Sequence, residues 1–209
     1  MLESHNHVLL AQEPAFGRFF VELAAFVLER EAAVAPPPVC GGGSGPWRPR
    51  LAAILPADAA RYSRLMAQDE RATLAALDAA RAVFRQQIEL NHGRVVDMAG
   101  DSVLAVFDTA NGAVSAALGA QKSLERSALP FRIGVHLGDV IEKADGTIYG
   151  DGVNIAARLQ ALAAAGGITV SDAVRGSVQS RAGASFDDQG EQQVKNMPEP
   201  IRAYRVRLN

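Results

Sequence analysis

The chain has 209 residues, a length that suits one domain of ordinary size with an appendage. Hydrophobic residues make up 48% of it, and the formal net charge of −2 argues against a nucleic-acid binder held by bulk positive charge. Cys40 is the single cysteine, so no intramolecular disulfide can form, which fits a reducing compartment. No apolar run reaches the ~18–20 residues that span a bilayer, and no secretory signal is evident, so we expect a cytoplasmic protein.

The first 45 residues differ in character from the rest. Phe16–Val34 carries phenylalanines and other apolar residues at helical spacing, which predicts an amphipathic helix. The proline- and glycine-rich stretch that follows it is typical of a linker. The helix could dimerise, lie on a membrane surface, pack on the domain or be a poorly ordered extension. Glu22 and Glu29 interrupt a membrane face and favour a packed or poorly ordered helix. We therefore divide the chain into an N-terminal segment, 1–45, and a main domain, 46–209.

From Trp47 the pattern becomes regular, and its elements can be predicted in chain order. The predicted strands are Leu51–Leu55, Gly93–Ala99, Ser102–Phe107, Phe131–Leu137, Val140–Ile148 and Ile168–Val170, followed by short strands between Phe186 and Leu208. The predicted helices are Asp69–Asn91, Thr109–Leu124 and one that ends near Gly166. Gly100-Asp101 and Gly138-Asp139 are the expected hairpin turns. Hairpins without strict βαβ alternation predict an α+β fold, an antiparallel-rich central sheet with helices packed over one face.

Residues 148–159 (IYGDGVNIAARL) form the most informative segment. A glycine-punctuated turn stands directly before a predicted helix that carries Asn154 and Arg158 at positions i and i+4. That spacing places both side chains on one helix face. Arg suits a planar clamp on a phosphoryl group, and Asn can hydrogen-bond a neutral sugar oxygen. A sugar contact beside a phosphate contact indicates a nucleotide.

Two aspartates are candidates for metal binding. Asp58 follows an apolar strand (LAAILPAD), and Asp101 stands at a predicted hairpin tip. Taken singly, Asp58 is more simply a helix-capping or turn residue, and Asp101 a hairpin residue. Hard cations such as Mg²⁺ prefer oxygen ligands, and two such ions can activate an attacking oxygen and stabilise a leaving phosphate. The occurrence of both aspartates together with Asn154 and Arg158 favours a site for two divalent ions.

The chain resembles the class III nucleotidyl cyclase catalytic domain of the bacterial type. The resemblance covers roughly residues 47–208 and rests on five ordered segments: LAAILPADAARYSRLM, GRVVDMAGDSVLAVF, FRIGVHLGDV with YGDGVNIAARL, GGITVSDAV and FDDQGEQQVKNMPEPIRAYRV. It implies a ferredoxin-like or palm-like cyclase fold. It also implies conversion of a purine nucleoside triphosphate to a 3′,5′-cyclic nucleotide and pyrophosphate, with Mg²⁺ or Mn²⁺ as cofactors.

The family pattern implies a role for each matching residue. Asp58 and Asp101 would hold the metals, Asn154 would orient the ribose, and Arg158 would stabilise charge on the α-phosphate. Lys195 falls where the family often places a triphosphate-binding Lys, although it could equally be a solvated strand residue. The family site forms between two catalytic domains. The chain carries both halves, so the resemblance implies a head-to-tail homodimer with two equivalent sites. His136 is not needed as a base and is more simply structural.

The residues that would select the base are ambiguous. The family usually reads adenine with a Lys four residues before the hairpin Asp, and Asp97 stands there; guanylate cyclases tend to have an acidic residue at that position. Thr147, seven residues before Asn154, fits one adenylate cyclase subgroup. Asp97 and Thr147 can together accept from and donate to either adenine or guanine, or Asp97 can touch no base. Analogy with relatives that share the YSRLM segment favours ATP, with GTP as the alternative.

Arg61 is a second departure, because the family commonly has Gly in the turn after the metal Asp. Arg61 could contact phosphate, crowd the loop or simply face solvent. A degenerate cyclase domain kept for dimerisation or nucleotide sensing therefore stays open, although retention of all four catalytic and metal residues favours an active enzyme. A palm-type polymerase or cyclic-dinucleotide synthase shares two-metal chemistry, but the helix with Asn154 argues against it.

Overall fold

The computed structural model describes residues 47–178, 184–193 and 200–208. Its strands are β1 (Trp47–Ala59), β2 (Gly93–Asp97), β3 (Ser102–Phe107), β4 (Phe131–Lys143), β5 (Ile148–Tyr149), β6 (Ile168–Ser171), β7 (Ala184–Gln192) and β8 (Ile201–Leu208). Its helices are α1 (Tyr62–Gln68), α2 (Glu70–Leu90), α3 (Ala110–Leu124), α4 (Asp151–Leu162) and α5 (Asp172–Ser177). The helix predicted at Phe16–Val34, the linker after it and the boundary at residue 45 lie outside the described residues.

One sheet organises the described residues. Its strand order is β2-β3-β1-β4-β6-β8-β7, and the short β5 pairs with β4. All neighbours are antiparallel except β4 and β6, which run parallel. The predicted α+β class with an antiparallel-rich sheet is confirmed.

Helices α2 and α3 cover one face of this sheet. The α2 positions that are buried recur at helical spacing and are Thr73, Leu77, Ala80, Phe84 and Ile88. The Asp69 side chain caps α2 by accepting from the Ala72 amide at 2.9 Å, and Thr109 caps α3 through the Gly112 amide at 3.1 Å. Alternate residues of β1 point into this main core, which Phe84 and the edge-on Phe131 help to fill.

Helix α4 lies on the opposite face, which we call the α4 face, so the expectation that helices cover one face was wrong in this respect. A smaller cluster, which includes Ile54 and Ala156, forms under α4. Gly134 of β4 makes the close approach possible, because a Cβ at that position would stand 2.5 Å from the Gln160 backbone nitrogen. The α4 face also carries most of the candidate site residues.

Several boundaries differ from the predictions. Strand β4 runs unbroken through Gly138-Asp139, where a hairpin was expected; the turn comes instead after Lys143. The pairing of β4 with β1 continues through Gly138 and Asp139, which keeps the strand extended. Helices α1 and α5 were not predicted, because each is too short for a periodic pattern to show. Among the described residues, no helix is long and apolar enough to cross a membrane.

Candidate active site

Asp58 and Asp101 lie at the same end of two paired strands. Asp58 pairs with Ser102, and the amide of Ala59 donates to the backbone oxygen of Asp101 at 3.2 Å. Asp58 projects on the α4 face, because its neighbours Ala57 and Ala59 point into the main core on the other side. The expectation that the sheet brings these two aspartates close together in the fold agrees with this geometry.

Arg132 is a partner of Asp58 that the sequence reading missed. It lies directly opposite Asp58 on the neighbouring strand β4 and forms a bidentate salt bridge with it. Nε donates to Oδ1 at 3.0 Å and Nη2 donates to Oδ2 at 2.7 Å. Both side chains are partly buried, at 34% and 27% exposure. The segment FRIGVHLGD contributes to the family resemblance, but only the pairing of β4 with β1 places Arg132 opposite Asp58.

The hairpin turn that presents Asp101 is held from helix α2. Gly100 has φ of 56°, a left-handed conformation that favours glycine. Arg81 donates through Nη2 to the backbone oxygens of Met98 and Gly100. The sequence did not predict this contact either, because the position of an arginine on a helix does not indicate which distant backbone atoms it contacts. It fixes the turn from which the Asp101 side chain projects.

The residues at this end of the sheet fit a pair of divalent ions. Two carboxylates stand at neighbouring positions, and the Asp101 carboxylate has no hydrogen-bond or ion-pair partner among the described residues. Mg²⁺ commonly binds through one or two carboxylates and completes its shell with water and substrate phosphates. No group of three or more metal-binding side chains occurs within the described ranges, so water and substrate phosphates would complete the shell of an ion held here. The donor chemistry therefore fits a metal ion that would also be bound by the phosphates of a substrate.

Helix α4 presents Asn154 and Arg158 away from its own sheet. Its buried residues, Gly152, Ala156 and Leu159, form one stripe, and Asn154 and Arg158 lie on the opposite side. Both were expected on one helix face, and the helix supports that geometry. Neither side chain has a hydrogen-bond or ion-pair partner in the part of the chain that the structure describes. They are thus available to a ligand or to another molecule.

A β-bulge sets the direction of Asp97. The register of β2 against β3 shifts between Val95 and Asp97, and Asp97 then pairs with Leu104. Leu104 packs on the cluster under α4, so Asp97 is placed on the α4 face. Without the bulge, regular alternation along β2 would have turned Asp97 to the main core. The Asp97 side chain is exposed and has no hydrogen-bond or ion-pair partner among the described residues.

Thr147 occupies the turn between β4 and β5. Its backbone oxygen accepts from the Lys143 amide at 2.9 Å, and its amide donates to Asp145 at 2.9 Å. The pKa of the Asp145 carboxyl is held below its usual range by hydrogen bonds from the Thr147 amide and then the Thr147 hydroxyl. Thr147 is half-buried and directly precedes Ile148, which belongs to the cluster under α4.

Three further candidate residues, Arg61, Lys195 and His136, differ in where they lie relative to the described structure. Arg61 is exposed and directly precedes α1, with φ of 64°, a left-handed conformation that favours glycine. Lys195 lies outside the described residues. His136 is largely buried, which lowers its pKa to about 4, and its Nδ1 shares a 2.9 Å hydrogen bond with Oγ of Ser171. Ser171 caps helix α5, so this histidine has a structural contact.

The family model and the similar proteins all indicate the same protein family. Residues 50–207 match the model of the adenylate and guanylate cyclase catalytic domain. A protein of Rhizobium meliloti (strain 1021) named "Putative adenylate cyclase 3" is 40% identical over 166 residues, which cover 75% of this chain and 28% of that protein. The chain therefore spans little more than a quarter of the length of this relative.

Solved structures show the same fold. An adenylate/guanylate cyclase/hydrolase from Silicibacter pomeroyi has a TM-score of 0.71 at 39% identity, over 78% of this chain and 99% of that one. The adenylyl cyclase CyaB from P. aeruginosa has a TM-score of 0.70 at 21% identity, over 78% and 96% of the two chains. The family match covers most of the chain and contains every described candidate residue. The chain thus belongs to the adenylate and guanylate cyclase catalytic domain family.

Proposed function

We propose that this cyclase domain converts ATP to 3′,5′-cyclic AMP and pyrophosphate. The observation that carries the proposal is the placement of Asp58 and Asp101 side by side at one end of the sheet. A second, separate element, helix α4, presents Asn154 and Arg158 without partners of their own among the described residues. Metal-binding oxygens, a sugar contact and a phosphate contact are the groups that intramolecular phosphoryl transfer needs.

The reaction needs positioning and charge stabilisation more than covalent work by the protein. Asp58 and Asp101 would hold two Mg²⁺ or Mn²⁺ ions, which lower the pKa of the ribose 3′-hydroxyl and neutralise phosphate charge. Asn154 would accept or donate a hydrogen bond at the ribose and hold the 3′-oxygen in line with the α-phosphate. Arg158 would stabilise the negative charge that develops as the bond to pyrophosphate breaks. Lys195 is assigned to the triphosphate by the family pattern.

The direction of helix α4 supports a homodimer. Asn154 and Arg158 point away from the sheet that carries Asp58 and Asp101, so we expect that one protomer alone would not close the site around a nucleotide. A second copy arranged head to tail would bring its α4 against the aspartates of the first. This arrangement gives two equivalent sites, each with residues from both protomers.

The choice of purine rests on Asp97 and Thr147. With adenine, the Asp97 carboxylate would accept from the exocyclic amino group, while the Thr147 hydroxyl would leave Asp145 and donate to N1. We favour ATP because the similar Rhizobium meliloti protein is named an adenylate cyclase. The alternative is guanylate cyclase activity, which the exposed Asp97 carboxylate on the α4 face favours, since it could accept from both N1–H and the amino group of guanine.

Product identification tests this function directly. The purified chain is incubated with ATP or GTP in the presence of Mg²⁺ or Mn²⁺, and the products are separated by chromatography. We expect cyclic AMP and pyrophosphate in equal amounts, and no product from Asp101→Asn, which keeps the side-chain shape but removes the charge. Asp187→Asn, at a partly buried carboxylate that pairs with Arg207 on the distant strands β7 and β8, serves as the matched control. Nucleotide binding without any cyclic product would instead support a regulatory module.

A further inference from the structure

Arg94 joins two segments that are far apart in the chain. It lies on β2, and its Nη1 donates to the backbone oxygen of Gly146 at 2.9 Å, in the turn between β4 and β5. Its Nη2 donates to Oε1 of Glu142 at 2.7 Å, near the end of β4. One guanidinium therefore ties the edge strand β2 to the β4–β5 turn, 48 and 52 residues further along the chain.

Glu142 is itself held in place from a third strand. Its second oxygen, Oε2, accepts from Nε of Arg50 on β1 at 2.5 Å. Arg50 also donates to Asp108 at 3.0 Å. The Glu142 carboxylate thus has each oxygen committed to a different arginine, which fixes the oxygen that Arg94 contacts. A network of this kind restrains the turn more than a single exposed ion pair would.

The two segments that Arg94 joins are those that carry the candidate base contacts. Asp97 lies three residues beyond Arg94, and the bulge at Val96 places both side chains on the α4 face. Thr147 directly follows Gly146, the residue whose carbonyl accepts from Arg94. The contact therefore links the backbone segments that carry Asp97 and Thr147.

Gly146 is shaped for the contact. Its φ is 83°, a left-handed conformation that favours glycine. A Cβ at this position would stand 3.0 Å from Nη1 of Arg94. A side chain at this position would strain the turn and come too close to the guanidinium of Arg94. A change at either Gly146 or Arg94 should therefore disturb the same contact.

We propose that Arg94 is a positioning residue for purine selection. By tying β2 to the β4–β5 turn, it sets the spacing of the acceptor at Asp97 and the donor at Thr147 that read the edge of the base. The inference rests on the proposed nucleotide cyclase function and on these two residues facing the base. Arg94 itself touches neither the base nor the phosphates in this scheme.

The expected signature is a change in base recognition that exceeds the change in the chemical step. Arg94→Gln leaves the groups at the α-phosphate in place but frees the turn. We expect KM for ATP to rise about three- to tenfold, as for the loss of one or two hydrogen bonds that act at a distance, with a smaller change in kcat. The ratio of ATP to GTP turnover should move toward one, because a loose donor–acceptor pair discriminates less.

The experiment compares five variants with the unchanged chain. Arg94→Gln and Gly146→Ala disturb the contact from opposite sides, and the double variant should add little to either alone. Arg94→Lys should recover part of the effect, since an ammonium can reach one of the two acceptors but not hold both in a fork. Arg207→Gln removes an ion pair with Asp187 on the far strand and should leave KM and the ATP/GTP ratio unchanged. Binding of 3′-deoxy-ATP and 3′-deoxy-GTP, which cannot cyclise, is measured by calorimetry alongside kinetics.

The outcomes separate this inference from the proposed function. If the unchanged chain makes no cyclic nucleotide, the proposed function fails whatever Arg94 does. If the chain is active and both Arg94→Gln and Gly146→Ala keep KM, binding affinity and the ATP/GTP ratio, the positioning role is wrong. A loss of kcat alone in a folded Arg94→Gln variant would also overturn it. If Arg94→Gln fails to fold, Gly146→Ala and Arg94→Lys decide the question by the same measurements.

Discussion

Arg132 donates hydrogen bonds to both carboxylate oxygens of Asp58, with Nε 3.0 Å from Oδ1 and Nη2 2.7 Å from Oδ2. The side chain assigned to metal binding is thus already paired with a fixed cation. A divalent ion that approaches Asp58 meets the repulsion of this guanidinium and has to share or displace it. We therefore expect the pair to weaken metal binding at the proposed site until nucleotide phosphates add their own negative charge.

Removing Arg132 should accordingly tighten metal binding by the nucleotide-free protein. We expect Arg132→Gln to lower the Kd for Mn²⁺ about tenfold, equivalent to ~1.4 kcal/mol, because one nearby positive charge is lost. Calorimetry or the electron paramagnetic resonance signal of free Mn²⁺ measures this without activity. Asp58→Asn should abolish the effect in the double variant. Unchanged or weaker Mn²⁺ binding in Arg132→Gln would contradict the prediction.

Complementation between inactive variants tests the homodimer. Asp58→Ala and Arg158→Ala should each be inactive alone, because every site loses one essential group. In a mixture, each heterodimer regains one complete site from its two unaltered halves. With random exchange of protomers, we expect recovery to about a quarter of the unmixed activity. The measurement is cyclic nucleotide formed by equimolar mixtures across a range of protein concentrations.

The matching control for this experiment mixes Asp58→Ala with Asp101→Ala. Both substitutions fall in the same half of the site, so no heterodimer contains a complete site and no recovery is expected. Recovery in this control, or its absence in the first mixture, would mean that the aspartates and Arg158 do not come from different protomers.

Arg81 offers a test of how the Asp101 turn is held. Its guanidinium donates to the carbonyls of Met98 and Gly100, so Arg81→Gln should free the turn. We expect about 1–2 kcal/mol lower stability and a several-fold higher Mn²⁺ concentration for half-maximal activity. Arg85→Gln, one turn further along the same helix at an exposed position, is the control. If both variants have the same metal requirement, Arg81 does not position Asp101.

The amphipathic pattern predicted α2 well, because this helix buries one regular stripe against the sheet. Helix α3 was predicted from an alanine-rich run, and the structure buries a broad face of it. The unbroken course of β4 was missed, since Gly138-Asp139 is a strong local turn signal. The pairing with β1 overrides it. Local signals thus located elements but not the partner strands that decide where each element ends.

The candidate site was predictable where its residues follow a contiguous motif. Asn154 and Arg158 follow from helical spacing within one segment, and α4 has that geometry. Arg132, Arg81 and Arg94 were not predictable, because each acts on residues from a distant segment. The direction of Asp97 likewise depends on a bulge that only the pairing of β2 with β3 defines. Positioning contacts of this kind need the three-dimensional register.

Gly134 should be intolerant of substitution. A Cβ there would stand 2.5 Å from the backbone nitrogen of Gln160, so α4 would have to move off the sheet. We expect Gly134→Ala to lower the free energy of unfolding by about 1–3 kcal/mol and to reduce cyclase activity, because α4 carries Asn154 and Arg158. Gly176→Ala is the control, since nothing lies within 4 Å of its added Cβ. Denaturant unfolding curves and product formation measure both effects; equal behaviour of the two variants would contradict the close packing of α4.

His136 should make the fold sensitive to acid. Burial lowers its pKa to about 4 from the ordinary value of 6.5, so the folded state holds this side chain neutral. Between these two values the unfolded chain binds a proton that the folded chain does not, and stability therefore falls as the pH drops from 6.5 toward 4. Above pH 6.5 the histidine is neutral in both states and contributes no pH dependence.

The size of this effect can be measured against a variant without the titrating group. At pH 5 the His136 contribution should cost about 2 kcal/mol relative to pH 7. His136→Gln keeps a polar side chain near Oγ of Ser171 but cannot titrate, so its stability should fall less over the same range. Denaturant unfolding of both proteins at pH 7 and pH 5 gives the difference. Parallel losses of stability in the two proteins would show that other groups, and not His136, cause the acid sensitivity.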